Sequence, residues 1–157
     1  MTKYEVPYSE FKRLCLDLVP VFQSVNPEII VCVTRGGLTA AHIIAKAMNL
    51  PVAFVASYDG QLQSMGIKQS HKSAVVVDDM VDQGRTFSRV QSHFELTYPA
   101  TRFYYAAVYK VGTFEALDFI GEIATDRWLV MPNEESCKVV VGDKNLFSEG
   151  KSNYGTN

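Results

Sequence analysis

No apolar run in the chain approaches 18 residues, so no transmembrane helix is expected. The opening residues Met1-Thr2-Lys3-Tyr4-Glu5 lack the apolar stretch of a secretory signal. Cysteine is scarce. Cys15, Cys32 and Cys137 show no CxxC spacing, and an odd count without a signal argues for a reducing cytosol. A cytoplasmic location is the expectation. Positive charge is not in excess either. A net charge of −2, with no basic arm and no obvious helix-turn-helix, speaks against bulk attraction to nucleic acid or to anionic membranes. Walker A and dinucleotide fingerprints are both missing, because Arg35-Gly36-Gly37 provides neither spacing. There is no internal repeat and no low-complexity segment, and Trp128 is the one tryptophan.

What remains is an ordinary globular composition, 47% hydrophobic and 20% charged over 157 residues, the size of one domain with a normal core. Tyr8, Phe11, Cys15, Leu18 and Phe22 recur at spacings of three and four, which predicts an amphipathic helix with Pro20 as a bend point. Glu28 to Thr34 reads as a buried strand, with Cys32 as a buried thiol. Gly36-Gly37 ends it, and Leu38 to Met48 reads as an alanine-rich helix closed by Asn49 and Pro51. Val52 to Ala56 reads as a strand, residues 57–72 as a long polar loop, and Ala74 to Val77 as a third strand. Thr86 to Leu96 follows as a helix, Arg102 to Tyr109 as a strand, Phe114 to Phe119 as a helical turn and Gly121 to Ala124 as an edge strand. Residues 148–157 read as a loose tail. The alternation implies an α/β fold, a mainly parallel twisted sheet flanked by helices.

In such sheets ligands bind outside the carboxyl ends of the strands. Thr34-Arg35-Gly36-Gly37, Ser57-Tyr58-Asp59, Asp78-Asp79 and Lys110 all fall there. The segment Val75 to Phe87 is the most informative. It carries the adjacent acids Asp78 and Asp79, then Asp82, Gln83, Gly84, Arg85 and Thr86. Two neighbouring carboxylates repel unless a cation or hydroxyl donors share them. Gly84 permits positive φ or close backbone approach. The N–H groups from Gln83 to Thr86, with the Thr86 hydroxyl, can then face a phosphate at a helix start. A plain helix cap, with Asp82 or Thr86 as N-cap, would not require three acids. Arg35 with Gly36 can clamp a second phosphate.

This string resembles the phosphoribosyl-pyrophosphate (PRPP) motif of type I phosphoribosyltransferases. The wider resemblance is to their 6-oxopurine branch, xanthine-guanine enzymes among them, and runs from Thr34-Arg35-Gly36-Gly37-Leu38 to Trp128-Leu129 and Pro132. It implies the fold of that family in a single domain over 1–157, with a small hood from the C-terminal segment. It implies transfer of ribose 5-phosphate from PRPP to N9 of guanine, xanthine or hypoxanthine, with release of pyrophosphate, as in purine salvage. By that resemblance Arg35, Gly36, Asp78, Asp79, Gln83, Gly84, Arg85 and Thr86 bind PRPP, Asp79 contacts Mg²⁺, and Asp82 is the catalytic base. Lys110 recognises O6, Trp128 stacks on the base, and the Leu129 main chain contacts it. Ser57 and Tyr58 begin a flexible loop that closes over the reaction centre. The family also implies a cis peptide bond between Thr34 and Arg35, and a homo-oligomer, dimer or tetramer.

Four departures accompany the resemblance. Gln83 stands where relatives have a hydroxyl residue for the 5′-phosphate. The loop lacks their arginine after Ser-Tyr and offers Lys68 and Lys72 further on. Asn133 replaces a second tryptophan, leaving Glu134 as an indirect metal contact. Val130 has no polar group for the purine 2-substituent, so the preferred purine stays open. Two other readings remain: a phosphoribosyltransferase for another base, and a non-catalytic PRPP or nucleotide sensor on the same fold.

Overall fold

The computed structural model describes residues 1–132 and Glu134. The tail over 148–157 and Cys137 lie outside the described residues. The chain divides into two compact units, Ser9–Asp126 and Met1–Tyr8 with the segment from Arg127 onward.

The larger unit is built on a six-stranded sheet. In chain order its strands are β2 (Ile29–Val33), β3 (Val52–Tyr58), β4 (Gln61–Met65), β5 (Ser73–Val81), β6 (Arg102–Lys110) and β7 (Phe119–Ile123). Their spatial order is β4-β3-β2-β5-β6-β7, and all pairs are parallel except β3 with β4. Helices α1 (Tyr8–Gln23), α2 (Leu38–Met48) and α3 (Arg85–Thr97) complete the alternation. Strand β2 and the first half of β5 are apolar without alternation, because both faces of a parallel sheet are covered. Val75, Val76 and Val77 are fully buried, each contributing about 1.5–3 kcal/mol relative to an exposed side chain. One core cluster gathers Val31, Val76 and Ala107 from the sheet with Phe87, Val90 and Phe94 from α3.

The expected α1 is present and runs through Pro20. It buries Phe11, Cys15, Leu18 and Phe22, while Tyr8 is exposed. Helix α2 has the expected bounds and ends on Asn49 in the left-handed region, φ 54°. Cys15 and Cys32 are buried free thiols, and burial pushes both pKa values up to about 12.

Three expectations are corrected. The loop over 57–72 is in part a β-hairpin. Strand β3 runs on through Ser57 and Tyr58, turns at Asp59-Gly60 and returns as β4, pairing Ser57 with Leu62 and Tyr58 with Gln61. Asp59 and Gly60 both have positive φ, 49° and 75°, as a two-residue turn between twisted strands requires. Strand β5 does not stop at Val77. Its ladder with β6 continues through Asp78↔Ala107 and Met80↔Tyr109 to Val81↔Lys110. Finally, residues 114–118 form no helical turn. Phe114 and Leu117 pack on the core cluster instead. Asp118 exchanges two 2.8 Å hydrogen bonds with the Tyr105 backbone, its N–H donating to the Tyr105 carbonyl and its Oδ2 accepting from the Tyr105 N–H. Strand β7 therefore starts at Phe119, two residues earlier than expected.

The smaller unit holds a two-stranded parallel sheet of β1 (Thr2–Glu5) and β8 (Arg127–Val130). Thr2 pairs with Arg127 and Tyr4 with Leu129. The Arg127 guanidinium lies 4.5 Å from the Tyr4 ring centroid, a cation–π contact. The expected hood segment is thus joined in this unit by the N-terminal strand.

Candidate active site

The carboxyl ends of β2 and β5 and the start of α3 enclose the main polar site of the larger unit. Its geometry begins at Gly84. This residue adopts the left-handed conformation, φ 71° and ψ 20°, and serves as N-cap of α3 with no side-chain capping hydrogen bond. Neither Asp82 nor Thr86 caps the helix. The first N–H groups of α3 therefore keep their donors for another acceptor, at the positive end of the helix dipole. A cavity of about 240 Å³ opens there, lined by Asp78 and the continuous segment 80–87. Gln83, Arg85 and Thr86 are exposed around it, and Gly84 is buried.

A side chain at Gly84 is excluded on two grounds. Its φ is unfavourable for any residue with a Cβ, and the Phe114 ring occupies the space such a Cβ would need. Phe114 also stacks on Phe87, with ring centroids 6.2 Å apart and planes 6° from parallel. Its N–H donates to the Asp82 carbonyl at 3.3 Å. The segment after β6 thus braces the phosphate-loop candidate from outside. Gly112 in the same segment lies directly on the Asp82 carboxylate, where an added Cβ would overlap Oδ1. Asp82 itself is exposed.

Asp78 and Asp79 sit near the carboxyl end of strand β5. The Asp79 N–H donates to Asp78 Oδ1 at 2.8 Å. Burial raises the Asp78 pKa well above the ordinary carboxylate range, and the neighbouring Asp79 charge raises it further. The other phosphate-clamp candidate meets this pair. The Thr34–Arg35 peptide bond is cis, as the resemblance implied. A Cβ on Gly36 would stand 2.6 Å from Asp79 Oδ1 and 3.1 Å from Asp78 Oδ1. The Arg35-Gly36 backbone therefore rests on both acids, and glycine is what permits the approach. Arg35 is exposed.

Two adjacent oxygen-donor carboxylates fit one face of a hard cation such as Mg²⁺. No cluster of three or more His, Cys, Asp or Glu able to hold a metal occurs among the described residues. Further ligands would have to come from a bound substrate and water.

Ser57 and Tyr58 are exposed at the turn of the β3–β4 hairpin. The Arg89 guanidinium, from α3, donates to the Gly60 carbonyl at 3.0 Å. The Ser64 hydroxyl lies 2.7 Å from the Tyr98 hydroxyl. Lys72 precedes the first residue of β5, and its N–H donates to Glu28 Oε1 at 2.7 Å. That is the opposite end of the strand from Asp78, about 20 Å away at the ordinary rise per residue. Lys72 is not beside the acids, and the Lys68 N–H donates to Nδ1 of His71 at 3.0 Å.

Lys110 ends β6 and is almost fully buried. Its Nζ donates to Glu115 Oε1 at 2.9 Å. In the smaller unit Trp128 is 65% exposed while Leu129 beside it is buried. Glu134 accepts a hydrogen bond from the Met131 N–H at 3.1 Å. Gly112, Glu115 and Arg89 carried no reading in the sequence, and Phe114 was read only as the start of a helical turn. The glycine two residues after Lys110 and the Asp59-Gly60 turn were the available signals.

A mainly parallel sheet with an uncapped helix start and paired acids at its carboxyl rim is that of an α/β protein with an anion-binding site at its strand ends. The family model for the phosphoribosyl transferase domain matches residues 21–114, more than half of the chain, and the chain belongs to that family. Among solved structures it is similar to the Helicobacter pylori xanthine-guanine-hypoxanthine phosphoribosyltransferase. The TM-score is 0.75 and identity 25%, with 88% of this chain and 98% of that one covered. A purine phosphoribosyltransferase from Pyrococcus horikoshii Ot3 superposes with a TM-score of 0.70 at 22% identity, covering 84% and 94% of the two chains. The adenine phosphoribosyl transferase from Trypanosoma brucei, solved with AMP, pyrophosphate and ribose-5-phosphate, shares the fold more distantly. Its TM-score is 0.59 at 12% identity, covering 74% of this chain and 65% of that one.

Proposed function

We propose that this phosphoribosyltransferase transfers the ribose 5-phosphate of PRPP to N9 of a 6-oxopurine, releasing pyrophosphate. The observation that carries the reading is the uncapped N-terminus of α3 at Gly84, opening on a cavity that also takes in Asp78. The 5′-phosphate would accept hydrogen bonds from the N–H groups of Gln83, Gly84, Arg85 and Thr86 and from the Thr86 hydroxyl. Gln83 can donate through its longer amide where relatives use a hydroxyl. The diphosphate would lie over the Thr34–Arg35–Gly36 turn, with the Arg35 guanidinium against the charge that builds on the leaving group. Asp78 and Asp79 would hold the ribose hydroxyls. Asp79 would also hold Mg²⁺, which neutralises diphosphate charge when bound.

Asp82 would take or hydrogen-bond the N7 proton as positive charge develops on the purine. The Gly112 backbone beneath its carboxylate limits where that carboxylate can turn. Lys110 would donate to O6. Trp128, with its large exposed face, would stack on the ring, and the Leu129 main chain would contact the base edge. Ser57 and Tyr58 would close over the reaction centre and exclude water.

The test is PRPP-dependent nucleotide synthesis with guanine, xanthine, hypoxanthine and adenine in the presence of Mg²⁺. Nucleotide from one or more of the 6-oxopurines, in preference to adenine, is the expected result. Preference for adenine would overturn the role of Lys110. Product from none of the four, with PRPP still bound, would favour a nucleotide-sensing protein.

A further inference from the structure

The Lys110–Glu115 ion pair joins the proposed base-recognition cation to a residue that the proposed reaction leaves unused. The cross-strand neighbours of Lys110 are Val81 and Ile123, both apolar. Its side chain is 9% exposed, and its one ion pair among the described residues is with Glu115, which is 85% exposed. An ammonium has three N–H donors. One is directed at Glu115 Oε1, and that bond is 2.9 Å long. The other two are left for a ligand. An isolated ammonium in such a setting would attract any anion. An ammonium already paired with a carboxylate offers hydrogen bonds with little net charge.

We infer that Glu115 is a specificity-determining residue that favours neutral 6-oxopurines over the xanthine anion. This rests on the assignment of Lys110 to the base. The O6 carbonyl of neutral guanine or hypoxanthine accepts from Lys110 without altering the charge balance. Xanthine carries a second ring carbonyl, is more acidic, and is partly anionic near neutral pH. Its anion gains less from a neutralised lysine and is repelled by the Glu115 carboxylate. Glu115 acts through Lys110, as a positioning and charge-balancing residue.

The experiment compares wild type, Glu115→Gln and Glu115→Asp with guanine and with xanthine, across the pH range in which xanthine loses its proton. Glu115→Gln is expected to raise the xanthine-to-guanine ratio of kcat/KM roughly three- to tenfold. The change should appear as a lower KM for xanthine, grow towards alkaline pH and leave KM for PRPP unchanged. Glu115→Asp, which keeps the charge, should keep the wild-type ratio. A ratio unchanged at every pH in Glu115→Gln, with both bases still converted, overturns the role of Glu115 alone. Equal loss of both activities in both variants would overturn it too, leaving a purely structural contact. No nucleotide from either base with the wild-type protein would instead overturn the base-site assignment, and this inference with it.

Discussion

Segment 78–87 and the residues Lys110, Trp128 and Leu129 would serve one reaction, yet the chain builds them in different ways. The first is continuous. It runs off the buried strand β5, turns at Gly84 and enters α3, so backbone geometry presents the donors. The second is dispersed. Lys110 is buried at the end of β6 with its charge balanced by Glu115, while Trp128 stands exposed on a two-stranded sheet in the other unit. A group common to every PRPP reaction can be gripped by main-chain N–H groups. A base that differs from enzyme to enzyme is read by side chains on elements that can change independently.

That contrast can be broken by substitution. Asp82→Asn should lower turnover about 100- to 10,000-fold while PRPP affinity is largely kept. Single-turnover rates beside equilibrium PRPP binding would check it, and near-normal turnover would remove Asp82 from the chemistry. Lys110→Ala should raise KM for the purine about ten- to a hundredfold with little change for PRPP, as steady-state kinetics with each substrate varied would show. Equal effects on both substrates would mean that the two regions are not separable.

Gly84→Ala should act on the phosphate side alone. The positive φ and the Phe114 ring both oppose a Cβ there, and a loss of about 1–3 kcal/mol of stability is expected. Denaturant unfolding and PRPP titration would measure it. The last effect, read on stability alone, concerns Asp78. Its folded-state pKa is raised, so the folded protein holds that proton more tightly than the unfolded chain. The resulting stability is full below the unfolded-chain value, roughly pH 4, and is lost as pH rises through the folded value near pH 8. Without Mg²⁺ and PRPP, stability should therefore fall across this window, by at most about 1.4 kcal/mol per pH unit from this group. Asp78→Asn should flatten the slope in thermal melts.

The course of segment 75–87 was largely legible in the sequence because its signals are local. Apolar strand, acids, glycine and helix start are contiguous, and the Thr34–Arg35 cis bond followed from the family likeness of one short loop. The strand end was misjudged, because Asp78 and Asp79 look like loop residues although their backbone stays in the β6 ladder. The Asp59-Gly60 hairpin could have been found from its turn dipeptide, flanked by the alternation of Leu62 and Ser64. The pairing of β1 with β8 carried no local signal. Both strands are four residues long, and nothing in either names its partner. The Lys110–Glu115 bond was invisible for a related reason. Its five-residue spacing fits neither helix nor strand periodicity and arises only from the path of the segment after β6.

The β1–β8 ladder has a consequence for the order of assembly. It joins the second residue of the chain to Arg127, so the strand bearing Trp128 finds its backbone partner only through a very long loop closure. Strand β5 finds its partners β2 and β6 through shorter closures, Ile29↔Ala74 and Ser73↔Arg102. A chain still maturing would therefore complete the β5–α3 segment before the strand that carries Trp128.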